Sequence, residues 1–142
     1  GPNLNMLGSR EPDLYGSDTL DEIEQSCRKH AEALDLAIEF RQSNSEAELV
    51  TWIQEAKGKF DGLIVNAGAY THTSIAILDA LQIIEVPVIE VHLSNIFKRE
   101  PFRHHSYVSR AAQGLICGFG AAGYELALDA MARLLETGKK DG

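Results

Sequence analysis

The segment from Val86 to Asn95 constrains the fold more than any other part of the sequence, because its apolar, β-branched run ends in titratable and hydrogen-bonding side chains. Such a run is typical of a strand that is buried on both faces, as in a parallel sheet. Open parallel α/β sheets bind their ligands at the carboxyl ends of the strands. We therefore predict that the polar residues of this segment form the floor of a site: Glu90, His92, Ser94 and Asn95.

Helical and strand patterns alternate along the rest of the chain. Two pairs with the spacing of a capping box, Thr19 with Glu22 and Ser45 with Glu48, each begin a predicted helix. The predicted helices cover about residues 20–33, 46–57, 75–84 and 122–135, and the remaining predicted strands cover 36–41, 63–65 and 114–117. Short strands that alternate with helices predict an α/β fold with a parallel sheet.

We expect a single domain over residues 1–142, since this length leaves no room for a second one. The opening turn, Gly1–Asn5, is of a kind that normally follows an ordered element. We therefore expect an ordered element, a first strand, ahead of Gly1 in the full protein. With that strand the sheet has five strands, and a flavodoxin-like doubly wound sheet with helices on both faces is the most economical architecture.

Charge and cysteine content narrow the class of protein. A net charge of -8 argues against a surface for nucleic acid or an anionic membrane, which needs clustered Lys and Arg, but not against a small anionic ligand in a local basic pocket. No apolar run approaches the length of a membrane span. Cys27 and Cys117 fall in a helical and a strand pattern, where buried free thiols are expected. We expect a reduced, cytoplasmic protein.

The segment from Gly8 to Ser17 has two glycines, a proline and no periodicity, which predicts a mobile lid loop. It carries Arg10 and Tyr15 together. A phenol is a poor base at neutral pH, but a neighbouring guanidinium favours its ionised form. With His92 as a general acid and Glu90 beside it, these residues suit proton transfers on a small, oxygen-rich anion.

The sequence contains patterns for two other kinds of site. The first is a dinucleotide-binding site: Gly118–Gly123 fits its pattern G-x-G-x-x-G between a strand and a helix, but neither a next strand nor a ribose-binding acid follows it. The second is a metal site built from Glu90 and histidines, namely His72, His92, His104 and His105. These histidines lack the spacing of a helical zinc motif.

Five stretches of the chain, in this order, resemble the signature segments of type II 3-dehydroquinate dehydratase. They are Gly1–Asn5, Arg10–Gly16, Asn66–Ser74, Glu90–Asn95 and Phe102–Tyr107. The resemblance implies a flavodoxin-like fold and a dodecamer built as a tetramer of trimers. It also implies a reversible anti elimination of water from 3-dehydroquinate to 3-dehydroshikimate, without metal or cofactor.

The resemblance also implies roles for the residues that carry the chemistry. Tyr15 would be the base that leaves an enolate, with Arg10 beside it on the lid. His92 would protonate the departing hydroxyl and Glu90 would orient it.

The remaining implied roles concern substrate binding. Asn3 and Asn66 would help to place a water molecule and the enolate. The backbone at Leu93 and Ser94 would hold the substrate carboxylate, and His72 and Arg103 would contact the ring hydroxyls. Asp79 matches an acid that reaches the site of a neighbouring subunit.

Members of the family have an apolar strand directly before the Gly1–Asn5 turn, so the resemblance implies such a strand in the full protein, which the intact mass of the full-length product would test. The sequence also departs from the family at Leu78, where many members carry arginine, so the subunit contact near Asp79 is expected to differ. Other hypotheses stay open at this point. The enzyme could serve quinate breakdown instead of aromatic biosynthesis, or the domain could be a module that binds a small anion without turnover. A nucleotide-dependent enzyme is the third alternative.

Overall fold

The computed structural model describes the backbone of residues 1–141 and the side chains of residues 1–138. The helices are α1 (Pro12–Tyr15), α2 (Leu20–Ala33), α3 (Glu46–Ala56), α4 (Ile75–Ile83) and α5 (Ala122–Asp141). The strands are β1 (Leu63–Val65), β2 (Val88–His92) and β3 (Gly114–Cys117). Short 3-10 turns lie at Leu4–Met6, Gly68–His72, Ile96–Lys98, Pro101–Arg103 and Val108–Arg110. Among the helices described, none combines the length and apolar content needed to cross a membrane.

The sheet is parallel in the order β1-β2-β3, with Ile64 opposite Ile89 and Val91 opposite Ile116. Strand β2 lies at the centre, and all five of its residues are buried. It has a hydrogen-bonded neighbour on each side and packed side chains on each face, as its near-continuous apolar sequence predicts. The predicted α/β fold with a parallel sheet is confirmed.

Alternate residues of β2 belong to different cores. Ile89 and Val91 pack into the core formed with α2 and α5, whereas Val88 packs into the core formed with α3 and α4. Because side chains alternate across a strand, Glu90 and His92 point to the same face as Val88. The site residues therefore face the side of the sheet that carries α3 and α4.

Local capping signals were predicted correctly. The Thr19 hydroxyl accepts a hydrogen bond from the backbone N–H of Glu22, and the Glu22 carboxylate accepts one from that of Thr19, so α2 begins with a capping box. The Ser45 hydroxyl caps α3 by accepting from the Glu48 N–H. The return hydrogen bond from the Ser45 N–H to the Glu48 carboxylate, which would complete a capping box, is not part of that cap. Helix α5 continues past the predicted end at Leu135 to Asp141.

The predicted strand over residues 36–41 is wrong for the described chain. The side chains of Leu36, Ile38 and Phe40 alternate as predicted and pack against the core of α2 and α5. A strand also needs backbone hydrogen bonds to a neighbour. Instead of pairing with β1, this segment lines a cavity of about 1260 Å³ together with it. The segment is therefore extended but unpaired within residues 1–141. A five-stranded sheet stays a prediction.

The predicted lid over residues 8–17 contains one turn of helix, α1, which sequence analysis had assigned to loop. Pro12 begins the turn, where its missing N–H leaves no hydrogen bond unmade. Gly16, with φ of 87°, ends it. The movement of this segment stays a prediction.

Leu128 and Leu126 on α5 provide a matched test of the core. Leu128 is 5% exposed and packs with α2 and β2, whereas Leu126 is 44% exposed. We expect Leu128→Ala to lower the free energy of unfolding by about 2 kcal/mol or more, because it leaves unfilled space in the core. Leu126→Ala should change it by less than about 1 kcal/mol. Urea denaturation measures both, and equal losses would contradict this assignment of the core.

Candidate active site

A carboxylate and an imidazole form a buried pair on β2. Nε2 of His92 lies 2.5 Å from Oε2 of Glu90, where the ring donates to the carboxylate. Glu90 is fully buried and His92 is 5% exposed. Their spacing of two residues puts both side chains on one face of the strand, and the structure brings them into direct contact.

Two serines complete the hydrogen bonding of Glu90. The Ser106 hydroxyl donates to Oε2 at 2.9 Å, and the Ser109 hydroxyl donates to Oε1. Burial by itself raises the pKa of Glu90, but the hydrogen bonds from His92 and Ser109, the charge of His92 and the hydrogen bond from Ser106 outweigh it, so the pKa lies below its ordinary value. Glu90 is therefore ionised at neutral pH and can only accept hydrogen bonds.

His72 stands beside this pair. Its ring is stacked on that of His92, with 6.3 Å between centroids and 17° between planes. Nδ1 of His72 donates to the carbonyl oxygen of His105 at 2.7 Å. The pKa of His72 lies below its ordinary value, chiefly through burial; the hydrogen bond to His105 opposes this, and the charges of His92 and Arg103 add to it. The site thus holds two imidazoles in fixed orientations.

The turn at Gly1–Asn3 packs directly on the loop that follows β1. A Cβ on Gly1 would lie 2.3 Å from the carbonyl carbon of Ala67, and one on Gly68 would lie 3.2 Å from Pro2. Asn3 has a left-handed backbone with φ of 68°. The Gly1–Asn3 turn and the loop after β1 were both predicted to belong to the site, and they lie together at the carboxyl edge of the sheet.

Asn66 is held by its own neighbours. Its Nδ2 donates to the hydroxyl of Tyr124 at 2.8 Å, and its Oδ1 accepts from the N–H of Gly68 at 3.0 Å. Burial raises the pKa of Tyr124 to about 12. Tyr124 thus remains a neutral partner that fixes the amide, a contact that no motif in the sequence indicated.

Two guanidinium groups lie near the ring of Tyr15. The Cζ atom of Arg10 is 4.8 Å from its ring centroid and that of Arg99 is 5.3 Å away. Arg99 also donates to the Ser94 hydroxyl at 3.2 Å, which links the lid to the end of β2. Sequence analysis predicted Arg10 beside Tyr15 but missed Arg99, because Arg99 lies in an irregular stretch without any spacing that relates it to the lid.

The other predicted residues lie around this arrangement. Leu93 and Ser94 are buried directly after β2, where the Leu93 carbonyl accepts from the N–H of Gly120 at 3.0 Å. The guanidinium of Arg103 donates to Glu100 at 2.5 Å. Asp79 lies apart from them, exposed on α4.

The alternative sites gain no support from the geometry. Among the described side chains, no three His, Cys, Asp or Glu residues are grouped to hold a metal ion. The glycines of Gly118–Gly123 have packing reasons: a Cβ on Gly118, at φ of 95°, would lie 3.1 Å from Asn95, and one on Gly123 would touch Val91 at 3.4 Å.

Comparisons with known proteins agree on one family. The model of the family "Dehydroquinase class II" matches residues 1–132. The chain is 57% identical over 142 residues to 3-dehydroquinate dehydratase of Brucella abortus (strain S19), covering all of this chain and 90% of that protein. It is 54% identical over 136 residues to 3-dehydroquinate dehydratase 2 of Pseudomonas aeruginosa, covering 96% and 92%.

Comparison with solved structures points to the same family. The crystal structure of type II dehydroquinase from Propionibacterium acnes superposes with a TM-score of 0.91 at 45% identity, covering 94% of this chain and 92% of that one. A type II dehydroquinase from Butyrivibrio crossotus gives a TM-score of 0.90 at 41% identity, covering 92% of each chain. The flavodoxin-like fold predicted from the resemblance is the fold of these neighbours.

Glu90→Gln should alter stability in a pH-dependent way. Because the pKa of Glu90 is below its ordinary value of 4.5, ionised Glu90 stabilises the fold above about that pH, and this contribution is lost as the pH falls through the folded pKa. We expect the wild type to exceed Glu90→Gln in free energy of unfolding at about pH 7, with a gap that narrows towards about pH 3. Denaturation curves across this range measure the gap, with Glu32→Gln, an exposed position on α2, as control. A gap that widens in acid would contradict the assignment.

Proposed function

Since this chain belongs to the class II dehydroquinase family, we propose that its site carries out the family's elimination of water by acid–base chemistry on the residues described above. The chain is a 3-dehydroquinate dehydratase, a hydro-lyase of the shikimate pathway, which serves aromatic biosynthesis through chorismate. The reaction is the reversible anti elimination that converts 3-dehydroquinate to 3-dehydroshikimate through an enolate. The observation that carries the mechanism is the buried pair of Glu90 and His92 at the carboxyl end of β2.

We assign the first proton transfer to Tyr15. As phenolate it removes the proton beside the ketone, and the enolate forms. The guanidinium groups of Arg10 and Arg99 both lie within 5.3 Å of the ring centroid, so two positive charges lie beside the proposed base. Arg99 joins the proposed base machinery on this contact and on its hydrogen bond to Ser94.

The second proton transfer belongs to His92. Since ionised Glu90 can only accept, Nε2 of His92 keeps its proton and Nδ1 is the atom that gains and loses one. Protonated Nδ1 gives its proton to the departing hydroxyl, and water leaves. Glu90 orients the ring through the hydrogen bond that it accepts from Nε2.

Substrate contacts complete the site. The backbone at Leu93 and Ser94 holds the substrate carboxylate, and His72 and Arg103 contact the ring hydroxyls. Asn3 and Asn66 place the water and the developing enolate, where preorganised donors stabilise negative charge most. The packing of the Asn3 turn on the Asn66 loop supports this placement. Closure of the lid over residues 8–17 excludes bulk water from the reaction.

We further propose a dodecamer built as a tetramer of trimers, in the cytoplasm. The exposed position of Asp79 on α4 supports a role in the site of a neighbouring subunit. Leu78 is 8% exposed in the folded subunit, so an apolar side chain at this position is accommodated beside Asp79. The free thiols of Cys27 and Cys117 suit a reducing compartment.

Tyr15→Phe tests the base. We expect the rate of enone formation, followed by ultraviolet absorbance with 3-dehydroquinate and EDTA, to fall by roughly 100-fold or more, because general base catalysis is lost. Ligand binding, measured by calorimetry, should stay close to that of the wild type. Tyr70→Phe is the control, since that hydroxyl donates to the Asn44 carbonyl at 2.8 Å. A wild-type oligomer without turnover would overturn the dehydratase and favour a module that only binds a small anion.

Asp79 is tested by mixing subunits. Asp79→Asn and Tyr15→Phe should each be nearly inactive as pure oligomers. After unfolding and refolding together in equal amounts, roughly a quarter of the sites should pair an intact Tyr15 with an intact Asp79 from the neighbour, so turnover should return in part. Light scattering of each sample reports the oligomer. A mixture as inactive as its parents would contradict the role of Asp79 across the subunit contact.

A further inference from the structure

Two serine hydroxyls converge on the buried carboxylate of Glu90 from one short segment, residues 104–110. We propose that Ser109, assisted by Ser106, is a positioning residue that holds Glu90 ionised and aimed at His92, and thereby fixes which nitrogen of His92 exchanges the proton. The inference rests on the proposed function, in which His92 is the acid. It adds residues that act through Glu90, without contact to the substrate.

Each carboxylate oxygen of Glu90 has its own set of donors. Oε2 receives His92 at 2.5 Å and Ser106 at 2.9 Å, whereas Oε1 receives Ser109. Among the described residues Ser109 is thus the one side-chain donor to the oxygen that His92 does not contact. Without it that oxygen would be buried without a partner, a state that favours a neutral carboxylic acid or a rotated carboxylate.

The segment that carries these serines is anchored independently of them. Val108, between them, is fully buried in the core of α3 and α4. The backbone N–H of Tyr107 donates to the Thr71 carbonyl at 3.0 Å. The hydroxyls therefore approach Glu90 from a rigid turn, as a positioning role requires.

The same segment holds the second imidazole. The His105 carbonyl accepts from His72, whose ring is stacked on that of His92. The groups around Glu90 are thus His92 on its own strand, Ser106 and Ser109 on this segment, and His72 with the nearby charge of Arg103. One segment sets the orientation of both histidines.

Ser109→Ala is the cleanest test, because the residue is otherwise exposed and its change removes little buried surface. Ser106→Ala would also remove the acceptor for the Ser109 N–H. With assembled enzyme and 3-dehydroquinate, we expect the kcat of Ser109→Ala to be roughly 10-fold below that of the wild type, with little change in KM. The acidic limb of the profile of kcat against pH should move to higher pH, because Glu90 loses a donor that favours its ionised form.

Two control variants separate positioning from folding. Ser109→Thr keeps the hydroxyl and should restore most of kcat and the wild-type pH profile. Ser74→Ala removes another buried serine hydroxyl, which caps α4 through the Ile77 N–H at 2.9 Å, and should lower the melting temperature without moving the acidic limb.

A readout without turnover keeps this inference distinct from the proposed function. Long-range ¹H–¹⁵N spectra of histidine side chains, assigned with His92→Ala, should show His92 with its proton on Nε2 in the wild type and a mixture of tautomers in Ser109→Ala. If the wild type turns over and Ser109→Ala matches it in kcat, pH profile and tautomer, the positioning role is overturned. If the wild type does not convert 3-dehydroquinate, the proposed function fails. The His92 tautomers of the wild type and of Ser109→Ala then decide alone whether Ser109 is a positioning residue.

Discussion

The burial of the Glu90 carboxylate is the constraint on which the site depends. Removing an ionised carboxylate from water is unfavourable by several kcal/mol unless donors replace the lost hydration. Here His92 supplies one donor from the same strand, and Ser106 and Ser109 supply two more from the connection between β2 and β3. That connection runs without an α-helix, as three 3-10 turns anchored by Val108. The irregular path thus delivers hydroxyls to a point that a helix lying flat on the sheet would cover with apolar side chains.

The two halves of the chemistry are held in different ways. The proposed acid, His92, lies on a central strand with hydrogen-bonded neighbours on both sides. The proposed base, Tyr15, lies on one helical turn that begins after a strained residue, Glu11 at φ of 39°. The Tyr15 ring contacts the two guanidinium groups, each contact being weak individually, and it also packs against the core of α2 and α5. In the proposed mechanism the acid is therefore preorganised on the sheet, whereas the base is carried by the segment that is predicted to move.

The sequence was sufficient for features that local chemistry decides. The apolar run that ends in Glu90 and His92 located the central strand, and Thr19 with Glu22 located the start of α2 to the residue. Features that depend on distant partners were not predictable. Leu36, Ile38 and Phe40 alternate like a strand, yet a strand also requires a paired backbone. Arg99 and Ser109 lie in a stretch without periodicity, so only the folded chain shows that one reaches Tyr15 and the other Glu90.

The hydrogen bond from His72 to the His105 carbonyl has a consequence for molecular recognition. Since a carbonyl can only accept, Nδ1 of His72 carries a proton, and its lowered pKa keeps the ring neutral at physiological pH. Nε2 is then left with a lone pair and no hydrogen. A ligand oxygen that docks there must bring its own hydrogen, which a hydroxyl does and a keto group does not. His72 would therefore favour a hydroxyl over a keto group at that point of a bound ligand.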